Sequence, residues 1–279
     1  MPKYFGGRLA GGLLKKPGVL TGIGSGKKLR TDLVMIVMSR RRGTIMAVVA
    51  GTLLCVLVAG TFMRNSLWRA EISIMKDALL KSPNNTRAYN NLGCAYNAAH
   101  QYSDAIGVFT IALRIDPRFA NAYTNRGLAY KRLGNFDRAL EDYTTAIEVD
   151  PAFEKAYNDR GVVFAEAHLL DRAIRDFTTA LSLAPGYVNA YVNRGTAFRN
   201  KRQYEAALAD YNKALILNPD LAKAYADRGE LYLSTGRSGL AVGDFQKACE
   251  LGSETGCGRL EKITGKKTSP SYTEKGGEK

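Results

Sequence analysis

The sequence predicts an all-α solenoid of stacked helix pairs, preceded by one apolar helix long enough to cross a bilayer. Two observations carry this. Between residues 83 and 253, glycine recurs at 93, 127, 161, 195 and 229, alanine at 105, 139, 173, 207 and 241, and proline at 83, 117, 151, 185 and 219, all at a spacing of 34. Three residue types holding one period over five copies mark units that stack to share a core, because a single unit cannot bury its apolar face alone. The second observation is Gly43 to Met63, 21 residues without a charge, with Arg40, Arg41 and Arg42 before it and Arg64 after it. As a helix that run spans roughly 30 Å, the hydrocarbon thickness of a membrane.

The arm before it, residues 1–42, holds 10 Lys/Arg against one Asp, and its first 30 residues include eight glycines and no helical or strand period. That composition predicts disorder. The stretch TGIGSGKK (21–28) has glycines and lysines, but not at phosphate-loop spacing, and Lys28 stands where Ser or Thr is needed. The net charge of +14 is concentrated in this arm; residues 84–253 carry 20 Lys/Arg against 19 Asp/Glu. A nucleic-acid groove would need the surplus on the folded part, so no nucleic-acid partner is expected.

Six Lys/Arg in residues 24–42 against four in 64–83 orient the span. The N-terminus stays in the cytoplasm and the repeats emerge beyond the inner membrane, in the periplasm of a bacterial envelope. An uncleaved anchor is the favoured reading. The rival is a signal peptide cut at Val58-Ala59-Gly60, releasing the remainder to the periplasm. Met35 and Met38 precede the arginine cluster, and a start at either gives a compact export signal, which makes residues 1–34 or 1–37 an upstream extension. Asn65 to Lys81 then reads as a linker helix carrying Leu67, Ile74, Ala78 and Leu79, in register with the second half of a repeat.

The repeats run 86–119, 120–153, 154–187, 188–221 and 222–255, with helices expected at 86–98 and 102–115 in the first and likewise in each copy. Tyrosine holds position 4 throughout (Tyr89, Tyr123, Tyr157, Tyr191, Tyr225), and position 24 is Phe109, Tyr143, Phe177, Tyr211 or Phe245. Gly at position 8 and Ala at position 20 remove bulk where two helices meet, aromatics supply the buried area, and Pro at position 32 stops the second helix. Position 7 is Arg126, Arg160, Arg194 and Arg228, and position 23 is Asp142, Asp176, Asp210 and Asp244, whereas the first repeat has Leu92 and Val108 at both places. The joint change predicts an Arg–Asp pair inside each of repeats two to five.

Over 170 of the 279 residues this pattern resembles the tetratricopeptide repeat family. The resemblance implies a right-handed superhelical solenoid whose first helices line a concave groove, and a protein or extended peptide as partner. In that family Asn at position 6 recurrently touches a peptide backbone, which an amide can do as both donor and acceptor. Carried onto this chain, position 6 is Asn91, Asn125, Asp159, Asn193 and Asp227, and Asn90, Lys131, Asn158 and Arg199 stand beside it on the same face. The alternative is that these residues support the helix turn or face water. Asn90 and Cys94 replace the Lys and Asn of the family's chaperone-tail groove, so that specificity is not expected.

The last repeat departs from the pattern. Ser253 stands in place of proline, and ACELGSETGCGRL (248–260) resembles the link of Sel1-like cysteine-rich repeats. That resemblance implies a Cys249–Cys257 disulfide joining adjacent helices, with a short capping helix and a disordered tail over 256–279. A zinc site would need two further ligands. The two histidines, His100 and His168, fall in turns between helices, two repeats apart, with no acid, base or nucleophile beside them. Catalysis, a cofactor, a metal and a small-molecule substrate are all not expected. The function predicted is a membrane-anchored binding scaffold, with a cytoplasmic nucleic-acid or ribosome-associated protein as the rival.

Overall fold

The structure, a computed structural model, describes Leu57, Gly60, residues 72–77 and residues 79–265. The predicted span at 43–63, apart from Leu57 and Gly60, lies outside the described residues, as do the basic arm and the tail after Gly265. No helix among the described residues is long and apolar enough to cross a membrane.

Every regular element among the described residues from Thr86 onward is an α-helix. In chain order these are α1 (Thr86–Ala98), α2 (Tyr102–Ile115), α3 (Ala120–Arg132), α4 (Phe136–Val149), α5 (Glu154–Glu166), α6 (Leu170–Leu183), α7 (Val188–Asn200), α8 (Tyr204–Leu217), α9 (Ala222–Ser234), α10 (Ser238–Glu250) and α11 (Glu254–Thr264). The odd-numbered helices from α1 to α9 open the five repeats and the even-numbered ones close them. Each helix packs on its neighbours in sequence, and each odd helix also touches the next odd helix, as a solenoid requires.

Local chemistry explains the boundaries. Inside each repeat the chain reverses through one left-handed residue at position 15: His100, Gly134, His168, Arg202 and Gly236, with φ of 59°, 77°, 59°, 60° and 74°. This accounts for both histidines, which are exposed turn residues. After each of α2, α4 and α8, an Asx side chain at position 31 accepts a hydrogen bond from the backbone two residues on (Asp116 from Arg118, Asp150 from Ala152, Asn218 from Asp220), and proline follows it. A side-chain turn and a missing N–H together end the helix.

The core is built from alanines and one ring per repeat. Phe109, Tyr143, Phe177, Tyr211 and Phe245 are all buried. Each ring lies over the glycine at position 8 of its own repeat: a Cβ on Gly127, Gly161, Gly195 or Gly229 would fall 2.9, 2.8, 2.9 or 2.8 Å from it. The same ring clusters with the next repeat, Phe109 with Ala129, Tyr143 with Val163, Phe177 with Ala197, Tyr211 with Leu231, and Phe245 with Leu260 of α11. One side chain therefore joins two helices and two repeats.

The Arg–Asp pairs form as the covariation predicts. Arg126, Arg160, Arg194 and Arg228 each donate through Nε and Nη2 to both carboxylate oxygens of Asp142, Asp176, Asp210 and Asp244, at 2.7 to 2.9 Å. Nη1 reaches position 25 of the preceding repeat, donating to Thr110, Thr144, Thr178 and Asn212. The guanidinium also sits 5.6 to 5.8 Å from the ring of the Tyr at position 4, a cation–π distance. In repeat one, Leu92 is buried instead.

Both ends differ from the expected detail. In the linker the buried side chains are Ile72 and Leu79, with Met75 partly buried, while Ile74 is 70% exposed. The apolar face runs at 72, 75 and 79, not through Ile74, because it has to meet the Leu92–Tyr96 side of α1. At the C-terminus the capping helix starts at Glu254, earlier than the 256 boundary, because the Ser253 side chain caps it by accepting from the Gly256 N–H at 3.1 Å. Cys249 and Cys257 are placed for a disulfide, with Cα atoms 4.6 Å apart, inside the range a bridge tolerates. Gly256 permits that approach: a Cβ there would lie 2.6 Å from Cβ of Ala248.

Candidate peptide-binding groove

Because first helices stack on first helices, position 2, 5, 6, 9 and 12 side chains of consecutive repeats fall on one face. A pocket of about 450 Å³ opens there, lined from Lys131 in repeat two to Lys223 in repeat five. A single pocket bounded by four consecutive repeats requires those repeats to curve toward each other, which makes this the inner face.

Four of the nine residues predicted for the groove line this pocket: Lys131, Asn158, Asp159 and Asn193. Asn90, Asn91 and Asn125 lie further toward the N-terminal end on α1 and α3, and Arg199 and Asp227 toward the C-terminal end, where Arg199 Nη1 donates to the Asp227 carbonyl at 3.4 Å. Asn91 is exposed and makes no hydrogen bond through its side chain among the described residues.

Asn125 and Asn193, the other two asparagines at position 6, are bonded to the scaffold. Asn125 Nδ2 donates to Asn90 Oδ1 at 3.0 Å, and Asn193 Nδ2 donates to Asn158 Oδ1 at 3.0 Å. Each pair ties a first helix to the first helix of the preceding repeat. Where position 5 carries Asn, the next repeat carries Asn at position 6. Where it carries Thr124 or Val192, the next repeat carries Asp159 or Asp227. The signal was present in the sequence as a two-repeat alternation, but position 6 read on its own does not expose it. Asn125 also accepts from Lys155 Nζ at 3.1 Å, and its Nδ2 lies 3.4 Å from Cys94 Sγ, so Cys94 belongs to the groove. Burial raises the Cys94 thiol pKa, with Lys155 opposing.

The charged groups of the pocket divide by partner. Lys131 donates to Glu166 at 2.7 Å and Lys223 to Asp227 at 3.1 Å. Asp159 accepts from Asn158 Nδ2 at 3.0 Å. Burial lifts the Asp159 acid above the ordinary carboxylate range, with Lys155, the Asn158 hydrogen bond and Lys131 opposing. Its charge is felt by both pocket tyrosines. Tyr187 is pushed up to about 12, by burial first, then by Asp159 and Glu154. Tyr143 is raised further, by burial first, then by Asp159, Asp142 and Glu166. The walls are Leu128, Val162, Val192 and Leu221. Sequence reasoning assigned Tyr143 to the core and did not single out Tyr187, Leu128, Val162 or Val192. A ring at position 24 reads as packing, and only the curvature brings it to a pocket wall.

The geometry agrees with known folds. Profiles of the tetratricopeptide repeat match residues 120–153, 188–221 and 222–252, and a TPR repeat profile matches 93–134. Three solved structures resemble this chain in fold. One comes from a functional characterisation of Pseudomonas aeruginosa pilF (20% identity, 64% of this chain, 83% of that chain, TM-score 0.58). The second is TTC0263, a thermophilic TPR protein in Thermus thermophilus (24%, 60%, 91%, TM-score 0.53). The third is MamA 41-end from Desulfovibrio magneticus RS-1 (19%, 65%, 97%, TM-score 0.52). Comparison with curated proteins gives no match. Over residues 93–153 and 188–252 these helix pairs, with a glycine under a ring in every copy and an Arg–Asp fork in four of five, match the tetratricopeptide repeat.

Proposed function

We propose that the protein is a membrane-anchored scaffold that holds a protein or an extended peptide in the inner groove and carries out no catalysis. The observation that carries this is the pocket lined by repeats two to five, with polar amides and lysines around an apolar floor. An extended chain offers alternating backbone donors and acceptors with side chains between them, which this mix of walls and amides suits. The near-neutral charge of residues 84–253 favours a protein partner over nucleic acid. The anchor is residues 43–63, with the N-terminus in the cytoplasm and the repeats in the periplasm. The Cys249–Cys257 juxtaposition supports that placement, since such a bridge persists in an oxidising compartment.

Two measurements test the reading. A photocrosslinking side chain at Asn189, exposed on the pocket rim, is expected to capture a partner from membranes, whereas one at Arg175, exposed on a second helix, is not. Equal capture at both sites would move binding off the groove. A topology reporter fused after Lys81 is expected to be active only outside the cytoplasm. Activity of a cytoplasm-only reporter there would reverse the orientation.

A further inference from the structure

The ring at position 24 is phenylalanine in repeats one, three and five, and Phe109, Phe177 and Phe245 pack as completely as the two tyrosines do. The hydroxyls of Tyr143 and Tyr211 are therefore not required by the core. Tyr211 accounts for its own: its Oη lies 3.1 Å from Thr196 Oγ1, at position 9 of the same repeat. In repeat two that position is Leu128, which has nothing to offer. Tyr143 lines the groove pocket, and its hydroxyl is buried with no hydrogen-bond partner among the described residues. A buried unpaired hydroxyl costs about 1–3 kcal/mol, and phenylalanine would avoid that cost.

Asp159 is anomalous in the same pocket. The other aspartate at position 6, Asp227, pairs with Lys223. The residue across from Asp159 in the preceding repeat is Thr124, whose hydroxyl is used by the Ala120 carbonyl at 3.1 Å. Among the described residues Asp159 forms no ion pair, and its one hydrogen bond is from the neutral amide of Asn158. Of the nearby lysines, Lys131 is paired with Glu166, while Lys155 donates to the neutral amide of Asn125 and acts on Asp159 through its charge without an ion-pair contact. Repeat two thus holds a hydroxyl with no partner among the described residues, and repeat three a carboxylate with no ion-pair contact, at one pocket with apolar walls.

We propose that this pocket takes a basic side chain of the bound peptide, its ammonium or guanidinium seated between the Asp159 carboxylate and the Tyr143 hydroxyl oxygen. The inference rests on the groove reading above and names the chemistry of its central subsite. A cation donates to both oxygens at once, and its hydrogen bond to a carboxylate is about twice as strong as a neutral one. At Tyr143 the charges of Asp159, Asp142 and Glu166 act in the negative sense, with Arg132 opposing. Leu128, Val162 and Leu221 receive the alkyl stem, as apolar surface does beneath a Lys or Arg head. A neutral amide or hydroxyl would satisfy the hydrogen bonds but leave the carboxylate without an ion-pair contact. A partner carboxylate would meet Asp159 directly.

The test uses the full-length chain and pools of short N-acetylated, C-amidated peptides that differ at one fixed central residue: Lys, Arg, norleucine, Gln or Glu. The Lys or Arg pool is expected to bind about tenfold or more tighter than the norleucine and Gln pools. Asp159→Asn keeps the shape and the amide contact, and is expected to erase that preference by weakening the Lys and Arg pools more than the norleucine pool. Tyr143→Phe reproduces the ring of repeats one, three and five. It is expected to weaken the basic pool about three- to tenfold with no drop in melting temperature. Equal binding of the Lys and norleucine pools overturns the inference and leaves the groove function standing. Tightest binding of the Glu pool, or equal weakening of every pool by Asp159→Asn, also overturns it. Binding of no pool removes the groove function with it.

Discussion

Replacing Arg160 with Leu leaves Asp176 buried, 8% exposed, with no cation to balance it, and replacing Asp176 with Val strands the Arg160 guanidinium on its single remaining bond to Thr144. The pair is a two-pronged fork, at 2.8 and 2.9 Å, with both side chains mostly shielded from water. Removing one partner of such a pair costs about 3–5 kcal/mol. The Asp176→Val figure should fall near the lower end, because the Arg160 side chain keeps 19% exposure and can reach water. The double change is different, because the molecule already contains it: repeat one carries Leu92 and Val108 at these positions and packs them in its core. The double variant is therefore expected within about 1 kcal/mol of the parent, giving a coupling of about 5 kcal/mol or more in the cycle. The balance seen in repeat two supports a small net effect: burial holds Asp142 above the ordinary carboxylate range despite the Arg126 fork. Urea titrations at neutral pH, followed by far-ultraviolet circular dichroism, read all four corners of the cycle. Additive losses, with the double variant as unstable as the sum of the singles, would refute the argument that the fork acts as a unit.

Two further predictions follow from close approach and from the chain end. Gly161→Ala puts a Cβ 2.8 Å from the enclosed Phe177 ring and is expected to cost about 1–3 kcal/mol, whereas Gly186→Ala, with open space around it, is expected to cost nothing. Equal melting temperatures for the two variants would refute the close-packing account. Reduction of the Cys249–Cys257 bridge is expected to remove about 2–3 kcal/mol, and mass spectrometry of the unreduced protein isolated from its native cells should find the two cysteine peptides joined. Free thiols at both positions in that material would count against both the bridge and export.

The sequence by itself determined the solenoid. Period, helix limits in the first repeat, turn positions and the Arg–Asp pairing were all legible, because each rests on chemistry local to one repeat and is printed four or five times over. A ring that needs a glycine beneath it and a fork that disappears at both ends together leave marks at fixed spacing, independent of how repeats are arranged. Only the tertiary structure decided what joins one repeat to the next and what the inner face contains. The Nη1 bonds to position 25, the Asn90–Asn125 and Asn158–Asn193 bridges and the linker face at Ile72 and Leu79 depend on the angle between units, which no single repeat encodes. The same holds for the pocket. Tyr143 reads as one more core ring until curvature brings four repeats around it; it then lines the same pocket as Asp159, with its hydroxyl, redundant for packing, unpartnered among the described residues.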